Sequence, residues 1–310
     1  MDTSIQSGAP GTVVELAGAA ESSFDKQQRV AGSDVGSADY ATSRAAVFRW
    51  AVVILLANQL LAIVKGSAPV TPLDTITSLL SVGVFQYMAW YAVFRLLGAG
   101  ERTKTASNRD WVVALGLCLM VFIPTPRSVW VAATTIGVYL ILTPDGDRKL
   151  RSAGIVLLAL SVQEFWGHQL FEVIASPLLR AETAVVGTIL QTVQSGAYWQ
   201  DNMITAKSGW GIVIYPYCSS FHNVSLALLC WVTISRLVSD TWHGRDYAVA
   251  GLIAAAMISM NMTRLLLMSF NENLYHYWHG GAGYQIFAIT ASLFVLLASL
   301  FAVRRTGDRG

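Results

Sequence analysis

Residues 247–270 read YAVAGLIAAAMISMNMTRLLLMSF, an apolar stretch with one arginine, Arg264, inside it. As an α-helix this stretch would be ~36 Å long, enough to cross the hydrocarbon core of a membrane. A guanidinium keeps its charge, and burying one near lipid costs about 3 kcal/mol or more. An ionisable residue within a span is therefore a functional-site hypothesis by default, and we expect a site at the depth of Arg264.

The composition indicates a membrane protein. Of 310 residues, 54% are hydrophobic and only 13% are charged, against about 25% charged residues in a soluble domain. The net charge of +2 does not favour nucleic acid as a partner. Cys118, Cys218 and Cys230 are odd in number and scattered, so they do not form a disulfide framework.

Eight apolar segments predict an all-α polytopic membrane protein with about eight transmembrane helices. The third and fourth are shorter than the roughly 20 residues of a straight span, so they form either two short spans or one re-entrant pair. We expect a disordered cytoplasmic tail over residues 1–45, a membrane domain over 46–305 and a short tail over 306–310. The segments are residues 47–64, 76–97, 111–123, 129–142, 153–174, 219–238, 247–270 and 282–303.

The placement of lysine and arginine predicts the orientation. With a cytoplasmic N-terminus, the cytoplasmic side holds 16 of the 21 basic residues and Arg264 lies within a span. The outer side holds only Lys65, Arg127, Arg180 and Lys207. Because cytoplasmic loops are enriched in Lys and Arg, this split predicts that both termini are cytoplasmic.

The largest outer segment covers residues 175–217 and precedes Cys218. Residues 178–194 have the apolar period of an amphipathic helix. Residues 198–205 and 210–217 predict a small β-hairpin around a Lys-Ser-Gly turn. This outer helix and hairpin would lead the chain to Cys218 at the start of the next span.

Cys218 is the candidate nucleophile. It lies before an apolar helix in the sequence Tyr-Pro-Tyr-Cys-Ser-Ser, with Ser219 next to it. Free N–H groups at a helix N-terminus favour the thiolate over the thiol. Most membrane cysteines are simply small packing residues, and we interpret Cys118 and Cys230, in the middle of spans, in that way.

Arg264, Asn261 and His279 complete the candidate site. Asn261 and Arg264 share a helix face at a spacing of three, and a guanidinium at this position would stabilise an oxyanion. His279 opens the last span at the same face and could transfer protons, with His276 one turn earlier as its rival. The alternatives are a structural, snorkelling arginine and an interfacial histidine.

Glu164, His168 and Glu172 form a second polar stripe, spaced by four on the fifth segment. Two carboxylates and an imidazole on one helix face could bind a metal with another histidine, although no His-Glu-x-x-His motif is present. We favour a stripe that faces a hydrated cavity and partners Arg264, because charges within a membrane tend to pair. No metal or other cofactor is therefore predicted.

The chain resembles the exosortase/archaeosortase family of membrane cysteine transpeptidases over about residues 155–295. Members carry Cys-Ser-Gly at the outer start of a span, Asn-x-x-Arg in the next span and a histidine with a glycine-rich element after it. Here these elements read Cys-Ser-Ser at 218–220, Asn-Met-Thr-Arg at 261–264 and His-Gly-Gly-Ala-Gly at 279–283, followed by Phe287. Ser220 and Gly280 depart from the usual glycine and acidic residue.

The resemblance implies a protein-sorting enzyme in the cell inner membrane. Its partners would be membrane lipid and secreted proteins with a C-terminal sorting signal, made of a short motif, a transmembrane helix and a basic cluster. Cys218 would form a thioester, Arg264 would stabilise the oxyanion, and His279 would protonate the leaving amine and activate the acceptor. Asn261, Ser219, Glu164 and His168 would support this trio or contact the substrate.

Three other functions remain open from the residues alone. A membrane cysteine protease would use the same residues with water as the acceptor. A transporter or channel would use the polar stripe and Arg264 as a pathway, would tolerate loss of the Cys218 thiol, and should show internal repeats, which we do not find in the sequence. A metal-dependent intramembrane hydrolase would lose activity on chelation.

Overall fold

A computed structural model describes residues 43–66, 83–100, 104–120, 122, 126–143 and 147–307. Residues 1–42 of the predicted tail 1–45 and residues 308–310 of the predicted tail 306–310 lie outside the described part. The described elements, in chain order, are α1 (Arg44–Gly66), α2 (Val84–Gly98), α3 (Asn108–Met120), α4 (Pro126–Leu142), α5 (Arg148–Ser161), a π-helical turn (Val162–Trp166), α6 (Gly167–Val193), β1 (Tyr198–Gln200), β2 (Met203–Thr205), β3 (Gly211–Val213), a 3₁₀ turn (Pro216–Cys218), α7 (Ser220–Val238), α8 (Gly244–Phe270), α9 (Glu272–His279) and α10 (Ala282–Gly307).

The first five helices share one apolar core. Buried side chains of α1 to α5 pack together, and Leu229 of α7 joins them. The start of α1 is fixed by a buried ion pair of 2.8 Å between Arg44 Nε and Asp110 Oδ1 of α3. An ion pair that is also hydrogen-bonded offsets the cost of burying both charges. Helix α1 begins at Arg44, slightly before the predicted domain boundary at 46.

Helices α4 and α5 pack closely because both present glycine at their contact. A Cβ atom added at Gly137 would lie 2.9 Å from the Gly154 carbonyl oxygen, and one at Gly154 would lie 2.8 Å from the Gly137 carbonyl oxygen. Small residues at helix contacts let backbones approach within a membrane, where apolar side chains gain little by leaving lipid. This close contact holds α5, the first part of the long central helix, against α4.

The central helix is continuous from α5 through the π turn to α6. It begins at Asp147, whose carboxylate accepts hydrogen bonds from the N–H groups of Lys149 and Leu150. The unbroken apolar helix Arg148–Val193 has 46 residues, or ~69 Å at 1.5 Å per residue, more than twice the hydrocarbon thickness. The amphipathic helix predicted over 178–194 is thus not a separate element, because Pro177 is accommodated within the helix.

The outer segment contains a sheet of three strands where the sequence predicted two. The strands are antiparallel in the order β1–β2–β3. The additional strand arises because Asp201 and Asn202 make a tight turn between β1 and β2, with Asp201 at a φ of 51°. Asp tolerates this left-handed conformation better than most residues. Ile204, Ile212 and Ile214 are buried in one cluster with side chains of α6 and α8, and β3 leads into the 3₁₀ turn that ends at Cys218.

The described residues do not confirm eight spans. Five of their helices are long and apolar enough to cross a membrane: Arg44–Lys65, Arg148–Val193, Ser220–Val238, Gly244–Phe270 and Ala282–Arg304. Helix α4 is apolar but shorter, and α2 and α3 have 15 and 13 residues. Residues 76–82 of the predicted second span lie outside the described part. The protein is a mostly helical, multi-pass membrane protein with a small sheet.

Candidate active site

Cys218 lies in a turn between the sheet and α7. The turn is stabilised by a hydrogen bond of 2.9 Å from the Cys218 N–H to the Tyr215 carbonyl. Cys218 is 8% exposed and belongs to a buried cluster with Leu265 and Met268 of α8. The predicted nucleophile is therefore held between the sheet and α8 in largely apolar surroundings.

Asn261 fixes the backbone of Cys218 from α8. Its Nδ2 atom donates a hydrogen bond of 2.8 Å to the Cys218 carbonyl oxygen, and the Asn261 side chain is fully buried. Its Oδ1 atom accepts a bond of 3.3 Å from Asn223 of α7. The amide orientation is thus set from two sides. The structure brings the predicted Asn261 into direct contact with Cys218.

Arg264 lies one turn further along α8 and is buried. Its Nε atom donates a hydrogen bond of 3.0 Å to the Trp278 carbonyl oxygen. The guanidinium carbon lies 5.3 Å from the centroid of the Tyr284 ring and 5.1 Å from that of Phe287. Its charge is also close enough to Cys218 for the two groups to interact electrostatically. Aromatic faces stabilise a cation without neutralising it, so Arg264 is positioned and remains charged.

His279 ends α9 and is exposed. Its ring stacks on Tyr275, with the centroids 4.8 Å apart and the planes inclined by 13°. Trp278, the residue before it, accepts the hydrogen bond from Arg264, so the backbone at His279 is tied to the cation. Within the described part of the chain, no hydrogen bond joins His279 to Cys218. His276, the rival, is exposed and lies 3.7 Å from Glu272.

Three of the N–H groups that follow Cys218 already donate to oxygen acceptors. The Ser219 N–H bonds to the Pro216 carbonyl, and the Phe221 N–H bonds to the Ser219 hydroxyl. The Ser220 N–H donates to Glu182 of α6 at 2.9 Å. These three N–H groups donate to oxygen atoms and not to the Cys218 sulfur, and the expectation that the helix N-terminus favours the thiolate stays a prediction. Arg264 is the cation that the site offers to a thiolate.

Glu182 is the site residue that the sequence reasoning missed. It is 3% exposed and accepts bonds from both Ser219 and Ser220. A signal was present in the sequence, because Glu182 lies among the apolar positions Leu179, Val186 and Leu190 of the same helix. A carboxylate on the apolar face of a helix needs a buried partner.

Glu164, His168 and Glu172, the predicted polar stripe on the fifth segment, do not all lie on one helix face. Residues 162–166 form a π-helical turn, which inserts an extra residue into the helical repeat. Glu164 consequently turns towards α2 and accepts a hydrogen bond from Gln86. Among the described residues, Arg264 forms no ion pair with Glu164 or Glu172. The interpretation that the stripe partners Arg264 is therefore wrong.

His168 and Glu172 line a cavity between α6 and α7. Its volume is about 620 Å³, and it reaches the residues just before Cys218. Over the described ranges, no three histidine, cysteine or carboxylate side chains are grouped so that they could hold a metal ion. The lining residues that matter here are Gln163, His168, Glu172, Pro216, Tyr217 and His222.

The geometry thus provides a thiol, a fixed cation and an exposed imidazole near one end of α7, α8 and α9. This arrangement can support nucleophilic attack with stabilisation of the developing negative charge. Proton transfer requires His279 to move towards the thiol or the substrate to bridge them. Catalytic hydrogen bonds are often formed only in the substrate complex.

One family model matches the region of the chain that contains the candidate site. The model of the transmembrane exosortase family matches residues 37–296, most of the chain. Neither the curated proteins nor the solved structures contain a match. The matched range includes Cys218, Asn261, Arg264 and His279. The chain belongs to the transmembrane exosortase family.

Proposed function

We propose that the protein is a membrane cysteine transpeptidase that sorts secreted proteins. It would cleave a C-terminal sorting signal, consisting of a short motif, a transmembrane helix and a basic cluster, and transfer the new acyl end to an acceptor. The observation that carries this proposal is the buried Cys218, whose carbonyl oxygen accepts a hydrogen bond from Asn261 of α8, with the buried Arg264 one turn further along that helix. Family membership supports the same activity.

The proposed reaction has two steps. The Cys218 sulfur attacks the carbonyl carbon of the scissile peptide bond, the C–N bond breaks, and the leaving amine takes a proton from His279. The acceptor then gives a proton to His279 and attacks the thioester, and the C–S bond breaks to restore the thiolate. Arg264 would stabilise the oxyanion in both steps, which is where a fixed cation contributes most.

The substrate would approach through the cavity between α6 and α7. His168 of α6 and Tyr217 of the Cys218 turn line this cavity. Its aromatic and polar lining suits a peptide that leaves the membrane near the motif. Glu164 does not line it, so we assign Glu164 to the contact between the π turn and α2 and not to the substrate. Ser219 would support the turn.

We also propose that the active site faces outward from the cell inner membrane. The distribution of basic residues over the eight predicted spans supports cytoplasmic termini and an outward-facing Cys218 end. The catalytic part would cover about residues 155–295, with the segment 175–217 outside. This orientation matches a substrate that is already secreted except for its membrane anchor.

The first test is processing of a C-terminally anchored substrate in membranes. We expect Cys218→Ala to abolish cleavage while the protein still accumulates. The matched control is Cys230→Ala, which removes a thiol buried in a different cluster and should leave cleavage within twofold. Cleavage that persists in Cys218→Ala would overturn the cysteine mechanism.

The mass of the product separates transfer from hydrolysis. A product heavier than the cleaved chain by the mass of an acceptor indicates a transpeptidase. A product with a free carboxyl terminus indicates a cysteine protease acting through the same residues. Both outcomes keep Cys218 as the nucleophile, and only the first supports transfer.

A further inference from the structure

A buried carboxylate from the central helix lies behind the Cys218 turn. We propose that Glu182 is a positioning residue, which holds the turn through Ser219 and Ser220 so that the Cys218 sulfur meets the substrate carbonyl. This inference rests on the proposed function and adds a residue to it. Nothing in the sequence motifs of the site includes Glu182.

One oxygen of Glu182 makes every bond to the turn. Its Oε1 atom accepts from the Ser219 hydroxyl at 3.0 Å, the Ser220 N–H at 2.9 Å and the Ser220 hydroxyl at 2.5 Å. Hydrogen bonds to a charged acceptor are about twice as strong as neutral ones. The two residues that follow the nucleophile are therefore both fixed to α6.

The other oxygen of Glu182 is buried and without a partner among the described residues. Burying a carboxylate with one oxygen unpaired costs free energy, which other interactions have to offset. Part of the cost is offset because the carboxylate lies at the N-terminus of α7, where the helix dipole favours negative charge. The hydrogen bonds from Ser219 and Ser220 offset the rest of this cost.

The Cys218 backbone is consequently held from two helices. Asn261 of α8 binds the Cys218 carbonyl on one side, and Glu182 of α6 binds the next two residues on the other. Ser220 stands where the family pattern has glycine, and its hydroxyl is a donor to Glu182. The serine therefore adds a third bond to the positioning carboxylate.

The negative charge of Glu182 distinguishes positioning from activation. An anion near Cys218 disfavours the thiolate, so Glu182 does not help the thiol to ionise. Removing the carboxylate should leave the thiol as reactive towards a small reagent, or more reactive. It should slow the reaction with the substrate, because the Cys218 sulfur has to approach the substrate carbonyl at a defined angle. Geometric errors near 1 Å can cost about 10²-fold in rate.

The test compares Glu182→Leu, which removes the accepting oxygen, with wild type in a background lacking Cys118 and Cys230. Substrate cleavage in membranes and alkylation of Cys218 by iodoacetamide are measured in parallel. We expect cleavage to fall about 10²-fold and the alkylation rate to stay within threefold or to rise. The control is Glu272→Leu, at an exposed carboxylate beside His276, with both rates unchanged. Cleavage that falls less than tenfold, or alkylation that falls in proportion, overturns the inference.

A second set of variants keeps the test decisive if Glu182→Leu does not accumulate. Ser219→Ala with Ser220→Ala removes the two hydroxyl donors and leaves the carboxylate in place. We expect this double variant to lose at least tenfold in cleavage with unchanged alkylation. Where Glu182→Leu is stable, adding it to the double variant should cost little more, because they act through the same bonds. Additive losses, or normal cleavage by the double variant, contradict positioning.

The two proposals fail in different ways. If Cys218→Ala still cleaves the substrate, the proposed function is wrong whatever Glu182 does. If Cys218 is required and Glu182→Leu cleaves normally, only the positioning role is wrong. The alkylation rate needs no substrate and reports on the turn in either case.

Discussion

The two halves of the candidate site differ in how firmly they are held. The Cys218 turn is buried, and Asn261 and Glu182 bind it from two helices. His279 is exposed at the end of α9 and is held through its stack on Tyr275. The nucleophile is therefore held in a fixed position, while the proton-transfer group is exposed and held by fewer contacts.

This difference indicates how the two groups would be used. A nucleophile gains from a fixed position, because orientation lowers the barrier of the attacking step. A proton-transfer group that serves first the leaving amine and then the acceptor needs access to both. Arg264 connects the halves, since it lies on the helix of Asn261 and bonds to the Trp278 carbonyl beside His279. The predictions below test each half in turn.

The largest effect is expected at the residue that joins the halves. Arg264→Lys keeps a charge but loses the planar group that bonds to Trp278 and stacks on Tyr284 and Phe287. We expect cleavage to fall about 10³-fold, the upper range for loss of an oxyanion stabiliser. The rate of substrate cleavage in membranes measures this.

The control for the cation is Arg180→Lys. Arg180 is exposed and pairs with Asp201 at 3.4 Å, and exposed pairs contribute little. Cleavage should stay within twofold of wild type. A similar loss in both variants would mean that Arg264 has no special role.

A smaller effect is expected at His279, in the exposed half of the site. His279→Gln removes the proton-transfer group, and we expect cleavage to fall about 10²-fold. His276→Gln, one turn earlier on the same exposed helix, should stay within twofold. Equal losses, or a larger loss at His276, would reverse the assignment of the two histidines. The measurement is the same cleavage assay, repeated over a range of pH.

The smallest effect is expected at the amide that holds the Cys218 carbonyl. Asn261→Ala removes the bond of 2.8 Å to that oxygen, and a lost buried hydrogen bond costs about 1–3 kcal/mol. We expect about a tenfold loss of cleavage. Asn223→Ala, which loses only the longer bond to Asn261, should cost less. A loss at Asn223 larger than that at Asn261 would contradict the order of these contacts.

The sequence predicted the elements that depend on local pattern. Apolar runs predicted the helices around Arg264 and Cys218, because length and hydropathy alone specify a span. Spacing predicted that Asn261 and Arg264 share a face. The eight spans were not confirmed, since some apolar runs form helices too short to cross a membrane unaided.

The features that the sequence did not predict depend on tertiary contacts. The π turn at 162–166 separated Glu164 from His168, and a single inserted residue leaves no mark in the apolar period. The Asp201–Asn202 turn divided one predicted strand into two because a tight turn needs only two residues. Glu182 was missed because its partners lie 37 and 38 residues away.

The central claim is that Cys218 carries the acyl group between the two steps. The most direct measurement is the mass of the peptide that contains Cys218, after wild-type protein is mixed with substrate in membranes and quenched in acid. We predict an adduct with the mass of the substrate's acyl fragment on Cys218, released by neutral hydroxylamine. Cleaved substrate with no adduct on Cys218, and continued cleavage by Cys218→Ala, would contradict the account.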